Sequence, residues 1–169
     1  MTLLTTVAIG AGILGVALLS TQLLPREVTV VRSAQVSASP SDVIALLASN
    51  EGYQRINPYK ASDPALKIAL FGPSSGVGSG FHFDGKDGKG SQTVAAVTDH
   101  SVTYDIDLGA MGKPKQIVDV RSSGGGSAVE WRMKADLGRN PIARIFGLFM
   151  DGMIGKTLEQ GLTNLNTAA

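Results

Sequence analysis

The chain has 169 residues, with 15 Lys and Arg against 14 Asp and Glu, and 43% of its residues are apolar although only 5% are aromatic. Balanced charge removes the basic surplus on which phosphate recognition rests, so no nucleic-acid partner is expected. With no cysteine, disulfide frameworks, zinc-thiolate and iron–sulfur sites and thiol nucleophiles are all excluded.

Charge is unevenly spread along the chain. Residues 2–24 carry no formal charge, and Val7 to Leu19 is apolar throughout. As a helix this segment is roughly 34 Å long, enough for a hydrocarbon core of about 30 Å. No Lys or Arg precedes the apolar run and no small-x-small cleavage site lies between Leu18 and Arg26, which favours an uncut single-pass membrane anchor over a signal peptide. Arg26 is balanced at once by Glu27, so the flanking charge assigns no side of the membrane to the rest of the chain. The expected organisation is a transmembrane anchor over 2–24 and one domain over 26–169.

Pro25 stops the first helix, and the β-branched run Val28 to Val36 starts a strand. Ser39-Pro40-Ser41-Asp42 then supplies an N-cap, a proline suited to the first turn and an acid at the positive helix end, predicting a helix to about Ala48. Glu51 to Pro58 predicts a second short helical turn. From Ala65 the hydrophobic period changes to two, and strands are expected at about 65–71, 77–84, 91–98, 101–108, 115–122 and 127–135, separated by short turns. Such turns join antiparallel neighbours. In one strand Val102, Tyr104 and Ile106 alternate with Thr103, Asp105 and Asp107; in another Val129, Trp131 and Met133 alternate with Glu130, Arg132 and Lys134. One sheet face is therefore apolar and the other wet.

Asn140 and Pro141 open the last element. Apolar residues recur at Ile142, Ile145, Phe146, Phe149, Met150, Met153, Ile154, Leu158, Leu162 and Leu165, the spacing of a helix with one apolar stripe, running to about Asn166. The order of elements predicts an α+β fold: a curved antiparallel sheet of about seven strands around one long C-terminal helix, with two short helices after the first strand.

This order resembles the START-like, or SRPBCC, superfamily with its helix-grip fold, and in particular the bacterial polyketide cyclase/dehydrase and lipid-transport branch. The likeness is carried by Val31-Arg32-Ser33 followed by Ser39-Pro40-Ser41-Asp42-Val43, the aromatic stretch Tyr53 to Tyr59, Asp63-Pro64, and Phe71-Gly72-Pro73 leading into Gly76-Val77-Gly78. Val129-Glu130-Trp131-Arg132-Met133, Met150-Asp151-Gly152-Met153-Ile154-Gly155 and Gly161-Leu162 complete it. It spans about residues 28–167, and its specificity lies in the order and spacing of these pieces. The resemblance implies a cavity for a hydrophobic ligand between sheet and helix.

Residues that carry chemistry are few. His82 lies between Phe81 and Phe83, on the opposite strand face, and His100 falls in a turn, so both are expected in solvent. They are too few to form a metal site, and no metal, cofactor or catalytic residue is assigned. The glycine-rich stretch Gly72 to Gly80 lacks the Lys-Ser/Thr of a phosphate loop and leads into a strand, which makes it a turn and a bent strand. Asp105 and Asp107 share one strand face and are expected as solvated sheet charges, as are Glu130, Arg132 and Lys134.

The informative feature is apolar. Phe81, Phe83, Tyr104, Ile106, Val118, Trp131 and Met133 of the strands, Tyr53 of the short helix, and Phe146, Met150 and Ile154 of the long helix form the expected ligand-binding set. Phe149 and Met153 are expected to face inward beside them, and Gly147, Gly152 and Gly155 to leave space along the helix. Ligand sites are apolar clefts with a few polar groups, which the two tyrosines and the tryptophan supply. The expected function is a membrane-tethered binding module for a lipid or other small hydrophobic molecule, without covalent chemistry. A cyclase/aromatase-like enzyme and a protein-interaction domain are the alternatives.

Overall fold

A computed structural model describes residues 20–169, together with Val7, Gly12 and Leu18. The expected anchor over 2–24 falls almost wholly outside the described residues; among those described, no helix is long and apolar enough to cross a membrane. Its end, Thr21–Leu23, is a 3-10 turn closed by the Leu24 amide on the Thr21 carbonyl at 3.1 Å, and the Thr21 hydroxyl donates to the Leu18 carbonyl at 2.6 Å.

Seven strands follow the period-two pattern: β1 Glu27–Val36, β2 Lys67–Phe71, β3 Gly80–Gly85, β4 Gly88–Thr98, β5 Ser101–Asp107, β6 Lys115–Ser123 and β7 Gly126–Asp136. They form one antiparallel sheet in the order β1-β7-β6-β5-β4-β3-β2. Strands β2 to β7 are a meander, and β1 adds to its far edge, pairing Val30 with Met133 and Arg32 with Trp131. Because β1 and β2 occupy opposite edges, the chain between them must cross the whole sheet. Three short helices make that crossing: α1 Pro40–Ala48, α2 Asn50–Ile56 and α3 Tyr59–Ser62.

The caps act as their residue types dictate. Ser39 accepts from the Asp42 amide at the start of α1, and Ser49 from the Gly52 amide at the start of α2. Helix α3 departs from expectation, because Pro58 reads as a terminator; in the structure Pro58 is instead the N-cap of α3, a place where its missing N–H is not needed. Strand β3 starts at Gly80 rather than near Val77, since Gly76 and Gly78 both have φ near +90°, outside the strand region. The intervening loop is pinned to the α1–α2 junction by Asn50, whose side chain donates to the carbonyls of Phe71 and Pro73, and by Ser79, whose hydroxyl donates to those of Ala48 and Gly76.

The long helix α4, Pro141–Ala168, opens on Asn140, whose side chain accepts from the amides of Ile142 and Ala143. It runs from the end of the sheet where β7 stops and β1 begins to the opposite end, where Asn166 accepts from the Ser37 amide. Its inner face is Met150, Leu158, Gly161, Leu162 and Leu165, all buried. These meet Val30, Val118, Val120 and Trp131 of the sheet and Val43, Leu47 and Ile56 of the short helices in one core. Removing each such aliphatic side chain from water stabilises the fold by about 1.5–3 kcal/mol.

Candidate ligand-binding interior

The aromatic centre of the core is built by alternation along four elements. Tyr53 on α2 points down onto the sheet and meets Phe81 of β3 (ring centroids 5.4 Å), Tyr104 of β5 (5.3 Å, edge-on) and Trp131 of β7 (6.3 Å, edge-on). Two polar tips are satisfied inside. The Tyr104 hydroxyl donates to the Leu47 carbonyl at 2.7 Å, and the Trp131 indole N–H donates to Gln116 Oε1 at 3.0 Å. A hydrogen bond also links the Tyr53 hydroxyl to the Gln92 side chain. Burial pushes both tyrosine hydroxyls well above their usual pKa, more than the Gln92 contact offsets at Tyr53. Both remain neutral hydrogen-bonding groups at physiological pH.

Tyr53, Phe81, Tyr104, Val118, Trp131, Met133 and Met150 come together in the core, with Phe83 and Ile154 half-buried against it. Ile106 is buried outside that cluster. Phe146 does not join them: it is 49% exposed, and Phe149 and Met153 are more exposed still. The spacing of apolar residues along α4 predicts one stripe, but in the structure they divide into two. At 100° per residue, positions 142, 145, 146, 149 and 153 fall on one line and 154, 158, 161, 162 and 165 on the other side of the helix. The second line meets the core together with Met150, and the first does not.

The helix glycines also differ from expectation. A Cβ on Gly152 would meet nothing within 4 Å, so that position faces outward. Gly147 lies against Leu137 and Val28, Gly155 against the Arg32 guanidinium and Gly161 against the Trp131 ring. The last three are close-approach sites that bring helix and sheet together rather than openings. Between Leu47, Tyr53, Phe81, Gln92, Val94 and Tyr104 the remaining cavity is about 10 Å³, at the lower bound for a single water. Two larger depressions are open to the outside: one of about 470 Å³ beside His82, Lys89 and Asp107, another of about 610 Å³ between Asp42, Glu51, Arg55 and Ala169.

Apart from the buried Asp63 and Arg144, charged groups lie on the periphery. His82 and His100 are exposed, as expected. Asp105 and Asp107 pair with Lys115 (3.0 Å) and Lys113 (2.8 Å), and Arg132 pairs with Asp119 and Glu130 on the outer sheet face. Two arginines to which the sequence assigns no role tie α4 down. Arg32 of β1 bridges Asp151 and Glu159, and the buried Arg144 donates to the carbonyls of Gln22 (2.7 Å), Leu24 (3.0 Å) and Gly138 (2.9 Å). No local pattern marks either residue, because each partner is more than a hundred positions away or is main chain. Gln92 and Gln116 are legible in principle: each stands two residues before a buried valine in its strand, in the inward phase.

A long helix laid across a curved seven-stranded antiparallel sheet, with short helices bridging its edges, is the helix-grip architecture of the SRPBCC superfamily. Residues 27–169 match the model of polyketide cyclase / dehydrase and lipid transport proteins, and the chain belongs to that family. Among solved structures it is similar to KanY (TM-score 0.63, 17% identity, 83% of this chain and 96% of that one). It is similar also to the di-domain ARO/CYC StfQ of the steffimycin biosynthetic pathway (TM-score 0.63, 11% identity, 89% of this chain and 52% of that one). A third is Ara h 8.0201 (TM-score 0.57, 13% identity, 84% of this chain and 94% of that one). At these identities the likeness is one of fold. Curated proteins yield no match.

Proposed function

We propose that this protein is a membrane-tethered binding protein for a lipid or another small apolar molecule, which it takes up between the sheet and the helices around Tyr53. The observation that carries the reading is the composition of that interior: four aromatic rings with buried amide groups at Gln92 and Gln116, closed over by α2, a helix of only seven residues. An apolar enclosure with a few oriented polar groups suits recognition of a mostly apolar ligand. The ionisable side chains in it are tyrosines held neutral by burial, while both histidines face solvent, so the interior offers hydrogen bonds and no proton shuttle at physiological pH. With about 10 Å³ free, uptake requires the side chains around Tyr53 to give way. Residues 2–24 hold the domain at the membrane, next to a source of apolar ligand.

The test is titration of the full chain in detergent with a dansyl-labelled fatty acid, alongside native mass spectrometry of the protein purified from membranes. Saturable binding that Val94→Phe abolishes, with cooperative unfolding retained, is the expected result. No probe binding, together with a native mass equal to that of the chain alone, would mean that the interior is only a core. Recovery of the protein from the membrane fraction after alkaline carbonate washing tests the tether separately.

A further inference from the structure

The first half of α4 shows an apolar line that the fold does not use. Ile142, Ile145, Phe146, Phe149 and Met153 are 45–76% exposed and spaced as one helix face, over a length of about 16 Å. Leu148 is also exposed beside them. An apolar stripe of this size on an otherwise charged surface marks a contact site. Its position indicates what the contact is. The uncharged segment 2–24 arrives at the first turn of this same helix, where Arg144 holds the Gln22 and Leu24 carbonyls and the Gln22 side chain donates to the Arg139 carbonyl at 3.2 Å. The chain continues straight into β1, with the Leu137 amide bonded to the Arg26 carbonyl at 2.8 Å. No slack linker separates the segment from α4.

At the same end of the sheet lie Leu23 and Met111, both exposed; a Cβ on Gly88 of the β3–β4 turn would come within 3.1 Å of the Met111 methyl. Arg139, immediately before the helix start, and Lys134, on the outer sheet face near the end of β7, have no ion-pair partner among the described residues. Exposed apolar side chains with basic groups near them are the pattern of a helix lying in a lipid headgroup layer.

We propose that the first half of α4, from Ile142 to Met153, is a second membrane contact that seats in the lipid interface and fixes the orientation of the domain on the bilayer. This rests on the reading that residues 2–24 enter the membrane: with Leu24 hydrogen-bonded to Arg144, a membrane-embedded segment brings the helix start to the bilayer surface. The interior and α2 then stand above the lipid rather than facing free solvent on a flexible stalk.

Absence of cysteine makes the test direct. Three full-length variants, Phe149→Cys, Leu70→Cys and Ile13→Cys, are each labelled with a nitrobenzoxadiazole probe and reconstituted into vesicles of phosphatidylcholine and phosphatidylglycerol carrying doxyl-labelled lipid. Leu70 is exposed on β2, the edge strand farthest from β1, and reports the aqueous reference. The expected result is blue-shifted emission at 149 that doxyl lipid quenches and aqueous iodide does not, with the reverse at 70. If the probe at 13 is quenched by lipid while that at 149 remains aqueous, the tether stands and the second contact is overturned. Quenching at 149 without quenching at 13 supports the contact and removes the tether. Quenching at neither position removes both. A blue shift at 149 that doxyl lipid leaves untouched means that protein, such as a second copy of the chain, covers the helix, and overturns the proposal.

Discussion

The two halves of α4 are made of the same kind of helix and differ in what they show to the outside. Along one line of the helix the first half carries Ile142, Ile145, Phe146, Phe149 and Met153, all exposed, and the second half carries Lys156, Gln160, Thr163 and Thr167, also exposed. Against the sheet the relation reverses. The second half buries Leu158, Leu162 and Leu165, while the first half presents Arg144, Gly147 and Met150. Core stability is thus concentrated in the second half, where the helix is amphipathic in the ordinary sense. The first half holds on through hydrogen bonds and close backbone approach, and its apolar content lies on the side where the core cannot use it.

The comparison is broken most severely by Leu158→Ala, which should cost about 2–5 kcal/mol by leaving a cavity against the sheet, whereas Phe149→Ala should change stability by less than about 0.5 kcal/mol. Urea unfolding of the full chain in detergent measures both, and similar losses at the two positions would erase the distinction between the halves. Arg144→Met comes next, with a loss of about 1.5–3 kcal/mol, because three main-chain carbonyls lose a charged donor. Faster proteolytic cleavage around residues 20–26 should accompany it. Gly161→Ala drives a methyl to 2.8 Å from the Trp131 ring and should destabilise by about 1–3 kcal/mol, with a shift in tryptophan emission. Gly152→Phe, on the outer side, should leave the unfolding midpoint where it was.

A smaller effect should appear in acid. Asp136 is held at a pKa of about 2, first by its hydrogen bond from Arg26 and then by the Gly138 amide, and the hydrogen bond from Arg32 lowers Asp151 likewise. A carboxylate whose pKa is lower in the folded chain than in the unfolded one adds stability that is fully present above the unfolded value, near 4. That contribution fades as the pH falls through the folded value. Unfolding midpoints should therefore decline between about pH 4 and pH 2, and Asp136→Asn should flatten the decline. Both pairs are exposed, so salt should weaken the effect.

Much of this organisation is legible residue by residue. Ser39-Pro40 and Asn140-Pro141 announce helix starts because capping is decided within four residues, and Val102, Tyr104 and Ile106 announce an inward face because strand side chains alternate whatever surrounds them. The aromatic centre follows from the same alternation at Phe81, Tyr104 and Trp131. Phe146 illustrates the opposite case. Its spacing from Met150 and Ile154 suits one stripe, yet a helix of 28 residues turns through many repeats, and a slowly drifting apolar pattern contains two faces that spacing alone does not separate.

Sequence by itself determined the α+β class, the seven strands, the caps and the separation of an uncharged first segment from a charged remainder, since each depends on local periodicity or composition. Tertiary structure alone decided that β1 pairs with β7, that Arg144 joins the end of the first segment to α4, and that Gly155 and Gly161 are seats for Arg32 and Trp131. It also decided which side of α4 the sheet takes and how little space remains beside Tyr53. These properties depend on distances between residues far apart in the chain, and a helix carrying apolar residues on two sides is indifferent to which one is buried until the sheet closes on it.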